Sequence, residues 1–158
     1  IKGFLSVVSE SEVNYVNAQL KLNEMGVELI ESKSSNLEKY TNLITVKFYR
    51  KSNVISVAGT VFGKDSIRIV DFFGYKLDFE PTKYVLALQN MDVPGIIGKV
   101  GTLLGQNNIN IAAMQWSRRD ASSNKAVSFV SVDSDVSDDI VEKLRRTDGI
   151  LKVSRLYF

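Results

Sequence analysis

The apolar residues of this chain change their spacing from one half to the other. In the first half they fall mostly in short β-rich runs. Gly3 to Val8, with Phe4, Leu5, Val7 and Val8, reads as a short strand. Ser9 or Ser11 is placed to cap a following helix, and Glu12 can reach back from its first turn. Val13, Val16, Leu20 and Met25 keep one apolar side, and Gly26 ends the helix. Val27 to Ile30 reads as a strand, and Ser32 to Asn42 as a loop. Four β-rich runs follow: Leu43 to Arg50, Val54 to Phe62, Ser66 to Phe73 and Tyr75 to Phe79. Lys51-Ser52-Asn53 and Gly74 are turns, and Gly59 and Gly63 mark a bulge and a turn. Glu80-Pro81-Thr82 is the candidate domain junction, because Pro81 cannot donate to a ladder and biases Glu80 toward an extended form.

The second half is more regular. Tyr84 to Leu88 is a strand, and Gly95 to Gln106 a helix whose Ile96, Ile97, Val100, Leu103 and Leu104 form one stripe. Asn107-Asn108 supplies a left-handed exit into a strand over Ile109 to Trp116. Asp120 to Asn124 is a hairpin loop, Ala126 to Val132 a strand, and Asp133 to Ser137 leads to a helix carrying Ile140, Val141 and Leu144. Asp148-Gly149 turns into a last strand, Ile150 to Phe158. The order β-α-β-β-α-β is a ferredoxin-like split βαβ arrangement, so the whole reads as α+β. Helices cover one face of such a sheet, and the other face or an edge needs protection, commonly from a partner.

Composition narrows the chemistry. The 158 residues are 44% hydrophobic and 24% charged, with net charge +2. That balance argues against nucleic acid or an anionic membrane as partner, and Arg118, Arg119, Arg145 and Arg146 read as solvated charge. There is no Cys and no His. Disulfides, thiolate metal sites and Cys nucleophiles are excluded, and with them every Ser-His-Asp triad. No apolar run spans a bilayer. Ile1-Lys2-Gly3-Phe4, without Met, reads as the cut edge of a longer protein.

One stretch stands out. Asn90-Met91-Asp92-Val93-Pro94-Gly95-Ile96-Ile97-Gly98 joins a strand to a helix start, and Asn107-Asn108-Ile109-Asn110 closes that helix. Free N–H groups and the macrodipole at such a start attract a carboxylate. Asp92 before Pro94-Gly95 can also be a plain turn or capping residue, and Gly95 and Gly98 can serve close packing alone. Asn14 and Asn17 read as a polar edge satisfying nearby loops, and Trp116 as core or interface.

With Asn90-x-Asp92-x-Pro94-Gly95-x-x-Gly98 and Asn107-Asn108-Ile109-Asn110-Ile111 on this frame, residues 82–158 resemble an ACT domain, a regulatory amino-acid-binding module. Glu12 to Ala18, Tyr40-x-Asn42-Leu43-Ile44, Val57 to Gly63, Arg68 to Asp71 and Gly74-Tyr75-x-Leu77-Asp78 make residues 1–81 resemble the intervening (allosteric substrate-binding) domain of long-form D-3-phosphoglycerate dehydrogenases. The resemblance implies a regulatory, C-terminal fragment of that cytoplasmic enzyme. The fragment itself would hold no catalytic residue, metal or cofactor; NAD would belong to the missing catalytic domains. It implies L-serine as inhibitor, bound between two ACT domains of a homodimer, with a higher homo-oligomer in the full enzyme. Carried over, the contacts fall on Asn90, Asp92 and Asn110, with Asp92 taking the ammonium group and Asn110 reaching across from the neighbouring subunit. Backbone around Ile96 and Ile97 would meet the carboxylate. Arg68 matches a position of a second, anion-binding site, where Glu80 is an acid in place of a base. Two alternatives remain: the beta part of an iron–sulfur L-serine dehydratase, and a ligand-free oligomerisation module.

Overall fold

A computed structural model of the chain describes residues 1–35, 39–50, 53–119 and 123–158. Parts of three sequence-predicted loops and turns, at 32–42, 51–53 and 120–124, fall outside them. The chain divides into two compact units, Ile1–Asn36 and Leu37–Phe158.

The first unit is helical. Its first element is a helix, α1 (Lys2–Val8), where a strand is expected from the sequence. A four-residue apolar cluster cannot by itself distinguish the two. A strand needs a neighbour for its N–H and C=O groups; here they close locally, Leu5 N–H onto Ile1 O at 2.9 Å and Ser9 N–H onto Leu5 O at 2.8 Å. Only Leu5 is buried. The second helix, α2 (Ala18–Glu24), starts later than the serines suggest. Ser9 Oγ instead bonds to Ser11. The turn before α2 is tied by a reciprocal asparagine pair: Asn14 Oδ1 accepts from Val16 and Asn17 N–H, and Asn17 Oδ1 from Asn14 N–H. The buried side is also rotated. Val13, Ala18 and Leu22 join Leu5 in a small core, whereas Val16, Leu20 and Met25 are exposed. At the C-terminus the expected Gly26 stop is present, with φ +69°. Gly26 N–H reaches Asn23 O and Val27 N–H reaches Leu22 O, the Schellman pattern. Val27 then packs on the Leu22 cluster and seals the helix end, while residues 28–30 are exposed and 27–30 forms no strand.

The second unit holds two four-stranded antiparallel sheets. β1 (Ile44–Arg50), β2 (Asn53–Phe62), β3 (Ser66–Phe72) and β4 (Tyr75–Phe79) form a meander in that order. The register slips between Ala58 and Gly59, the expected bulge. β3 and β4 are joined through Phe73 and Gly74 alone, both at positive φ, a type I′ geometry that Asp71 Oδ1 supports by accepting from Gly74 N–H. The other sheet contains β5 (Tyr84–Met91), β6 (Ile111–Arg118), β7 (Lys125–Val132) and β8 (Ile150–Tyr157), in the order β6-β7-β5-β8. With α3 (Ile96–Gln106) and α4 (Asp138–Arg146) between them, this is the predicted βαββαβ arrangement, and the fold is α+β.

Period-two alternation sends the two faces of this sheet to two cores. Leu86, Leu88, Val130 and Val153 pack against Ile96, Val100 and Leu104 of α3 and Val141 and Leu144 of α4. Val85, Val127 and Phe129 pack against Tyr75 and Phe79 of β4, with Ile69 and Phe72 of β3 alongside. Phe129 lies edge-on to Phe72 and tilted against Phe79, both at 4.9 Å between centroids. The face expected to need a partner is therefore covered by the chain's own first sheet, and β7 is buried along seven of its eight residues.

Candidate functional site

The predicted turn lies at one end of the second sheet. β5 runs out through Asn90 and Met91, flanked by β7 on one side and β8 on the other. Two backbone bonds pin its exit: Met91 N–H donates to Gly149 O at 2.7 Å, and Asp92 N–H to Asn124 O at 2.8 Å. Gly95, at φ +91°, then turns the chain into α3. Ile96 drops its side chain into the helix-side core, against Gly149, while Ile97 is half exposed. Lys99, one turn on, donates to Asp148 O at 3.0 Å and pairs with its carboxylate.

The start of α3 is bare. Gly95 offers no capping side chain, and its first turn has no acidic residue. Among the described residues the N–H groups of Ile96, Ile97 and Gly98 make no hydrogen bond. These donors and the helix dipole point positive potential out of the turn. Beside them Asp92 supplies the opposite sign. Its side chain is 17% exposed, and its Oδ2 lies 2.7 Å from Nε of Arg118 at the end of β6. Asn90 is fully buried; its Nδ2 donates to Met91 O at 2.7 Å, and its Oδ1 has no partner among the described residues. A buried oxygen left unpaired costs about 1–3 kcal/mol. The turn thus holds an acceptor for a cation, free donors for an anion and an unmet acceptor, the complement of a small zwitterion.

Asn90, Asp92, Ile96 and Ile97 meet at this end of the sheet; Asn110 does not. It lies at the far end of β6, exposed, with Nδ2 on Asp133 Oδ2 at 2.6 Å. The length of β6, ~23 Å over seven residue steps, separates it from Arg118. No single amino acid bridges that span. Arg68, on β3, has its guanidinium 2.6 Å from Glu80 and 3.6 Å from Asp78, so its charge is already met by two carboxylates. It does not line the cleft of about 240 Å³ bordered by Tyr40, Thr45, Lys47, Ser56 and Lys76 on the same sheet. Trp116 packs against the helix-side core. Among the described residues no group of three His, Cys, Asp or Glu could hold a metal ion, and no helix is long and apolar enough to cross a membrane.

Residues 1–73 match the D-3-phosphoglycerate dehydrogenase intervening domain, and residues 84–149 match the ACT domain. The chain joins an intervening domain of the D-3-phosphoglycerate dehydrogenase type to an ACT domain. Relatives of that name include the proteins of Bacillus subtilis (36% identical over 153 residues, 97% of this chain and 29% of the relative), Synechocystis (34% over 150 residues, 95% and 27%) and Archaeoglobus fulgidus (33% over 152 residues, 96% and 29%). The chain spans less than a third of the length of these relatives.

Within the ACT domain the side chain that sequence spacing does not bring to this turn is Arg118, which pairs with Asp92. A signal for it exists in the strand order. In a β6-β7-β5-β8 sheet, Ala126 of β7 faces Asn90 on one side and Arg118 on the other. The end of β6 therefore lies two strands from the end of β5, on the same rim. Gly149 is a turn glycine and also the acceptor that fixes Met91.

Proposed function

We propose that this chain is the regulatory, C-terminal part of a D-3-phosphoglycerate dehydrogenase, an intervening domain over 1–81 followed by an ACT domain over 82–158. It binds L-serine between two ACT domains, and serine acts as a feedback inhibitor. The observation that carries this reading is the bare start of α3 beside the partly buried Asp92 carboxylate. A zwitterion fits that pair: its carboxylate meets the N–H groups around Ile96 and Ile97, and its ammonium meets Asp92. Asn90 Oδ1, unpaired and fully buried here, can accept from the same ligand only if the turn opens around it. Asn110 of a second copy completes the site, because within one chain it is a strand's length away.

Regulation then follows from linkage. A ligand held by two copies prefers whichever quaternary arrangement brings them together, and shifts the enzyme toward it by that difference in affinity. NAD belongs to the catalytic domains, and the parent enzyme is a cytoplasmic homo-oligomer. An anion approaching Arg68 would first have to displace Glu80, so the reading rests on the ACT turn alone. The relatives' shared name favours the dehydrogenase over the L-serine dehydratase alternative.

The test is complementation by mixing. Asp92→Ala and Asn110→Ala versions of the full-length protein each lose serine binding. In a two-fold dimer, half of randomly mixed pairs are heterodimers with one intact site, so mixing restores about a quarter of the wild-type sites. Failure of the mixture to bind, while both variants still dimerise, contradicts a shared site.

A further inference from the structure

Arg118 and Asp92 form an ion pair of unequal burial. The carboxylate is 17% exposed and the guanidinium 63%, with 2.7 Å between Oδ2 and Nε. A carboxylate withdrawn this far from water needs a counter-charge. Among the described residues Arg118 is the only side chain that supplies one, and Asp92 is the only side chain among them that pairs with Arg118. Lys125, opposite Met91, and Arg119, whose guanidinium lies over Gly74, are nearby on the same rim, but neither pairs with Asp92.

The proposed ligand needs the same carboxylate, of which Arg118 holds Oδ2. An ammonium group and a guanidinium are both donors only, and both are positive. They repel each other at a single carboxylate, so binding at Asp92 is an exchange. We propose that Arg118 is a built-in competitor for the ligand's ammonium group: an amino acid enters the ACT site by displacing the guanidinium from Asp92. This rests on the reading of the turn given above and adds a term to it. The apparent affinity is lowered by the fraction of molecules in which Arg118 holds Asp92. The displaced guanidinium loses little, because it is already mostly in water. The exchange also selects for amino acids over hydroxy acids of the same size, since a neutral hydroxyl cannot replace a cation.

The test is a calorimetric titration of the full-length protein with L-serine, comparing wild type, Arg118→Gln, Arg118→Lys and Asp92→Ala. An ion pair this exposed on one side is worth roughly a two- to fivefold effect in an equilibrium. Arg118→Gln is expected to bind serine about threefold more tightly, while its melting temperature without serine stays level or falls. A merely structural arginine would move both readouts downward. Arg118→Lys keeps the charge and stays within about twofold of wild type. Serine binding that is unchanged or weaker in Arg118→Gln, with binding lost in Asp92→Ala, overturns the competitor and leaves the ACT site standing. No serine heat in the wild type, or undiminished binding in Asp92→Ala, overturns both.

Discussion

Gly149 shows how much of the site depends on residues that cannot touch a ligand. Its carbonyl accepts from Met91 N–H, and its φ of +90° lies where L side chains are strained. A Cβ there would sit 2.3 Å from Ile96 Cδ1, the side chain that anchors the first turn of α3. Gly149→Ala is expected to cost about 1–3 kcal/mol, from backbone strain and the displacement of Ile96. Urea denaturation measures this; an unchanged midpoint would mean that the turn relaxes freely. Ile96 and Ile97 also divide their work along the chain. One side chain is buried and its neighbour half exposed, but both contribute backbone N–H groups to the same helix start.

At the scale of elements, the two cores of the second sheet are joined through β7. Phe129 is 2% exposed and is wedged between Phe72 and Phe79. Phe129→Ala is expected to cost about 3–5 kcal/mol, and a loss under about 1 kcal/mol in chemical denaturation would show that the first sheet does not depend on this contact. The second half of the chain was legible from its sequence because long-range and local signals agree there: Ile96, Val100 and Leu104 mark one stripe, and β7 alternates between two buried faces. In the first thirty residues they do not agree. Val16 and Leu20 form one i, i+4 series and Ala18 and Leu22 another, and only packing against Leu5 selects the second. The apolar run at Phe4 to Val8 has no such pattern, so the absence of a neighbouring strand among the described residues of its unit decides for a helix. Of the candidate site, Asp92 and the helix start are legible in the sequence. The Arg118–Asp92 pair is not, because it depends on strand order and not on sequence spacing.

At the scale of the molecule, the first sheet lies on the face of the ACT sheet opposite its helices, so that face is not available to a partner. What a second copy can reach is the rim, where Asp92 and Arg118 lie at one end of β6 and Asn110 at the other. On the proposed reading, half a site at each end of one strand makes ligand binding a measure of how two copies are arranged. The central claim is that Asp92 takes the ammonium group of L-serine. Calorimetric titration of the full-length protein with L-serine, wild type against Asp92→Ala, tests it most directly. Removing one partner of a charge pair this buried costs about 2–5 kcal/mol, so affinity is expected to fall about thirtyfold or more. Serine binding of equal strength in the variant would contradict the account.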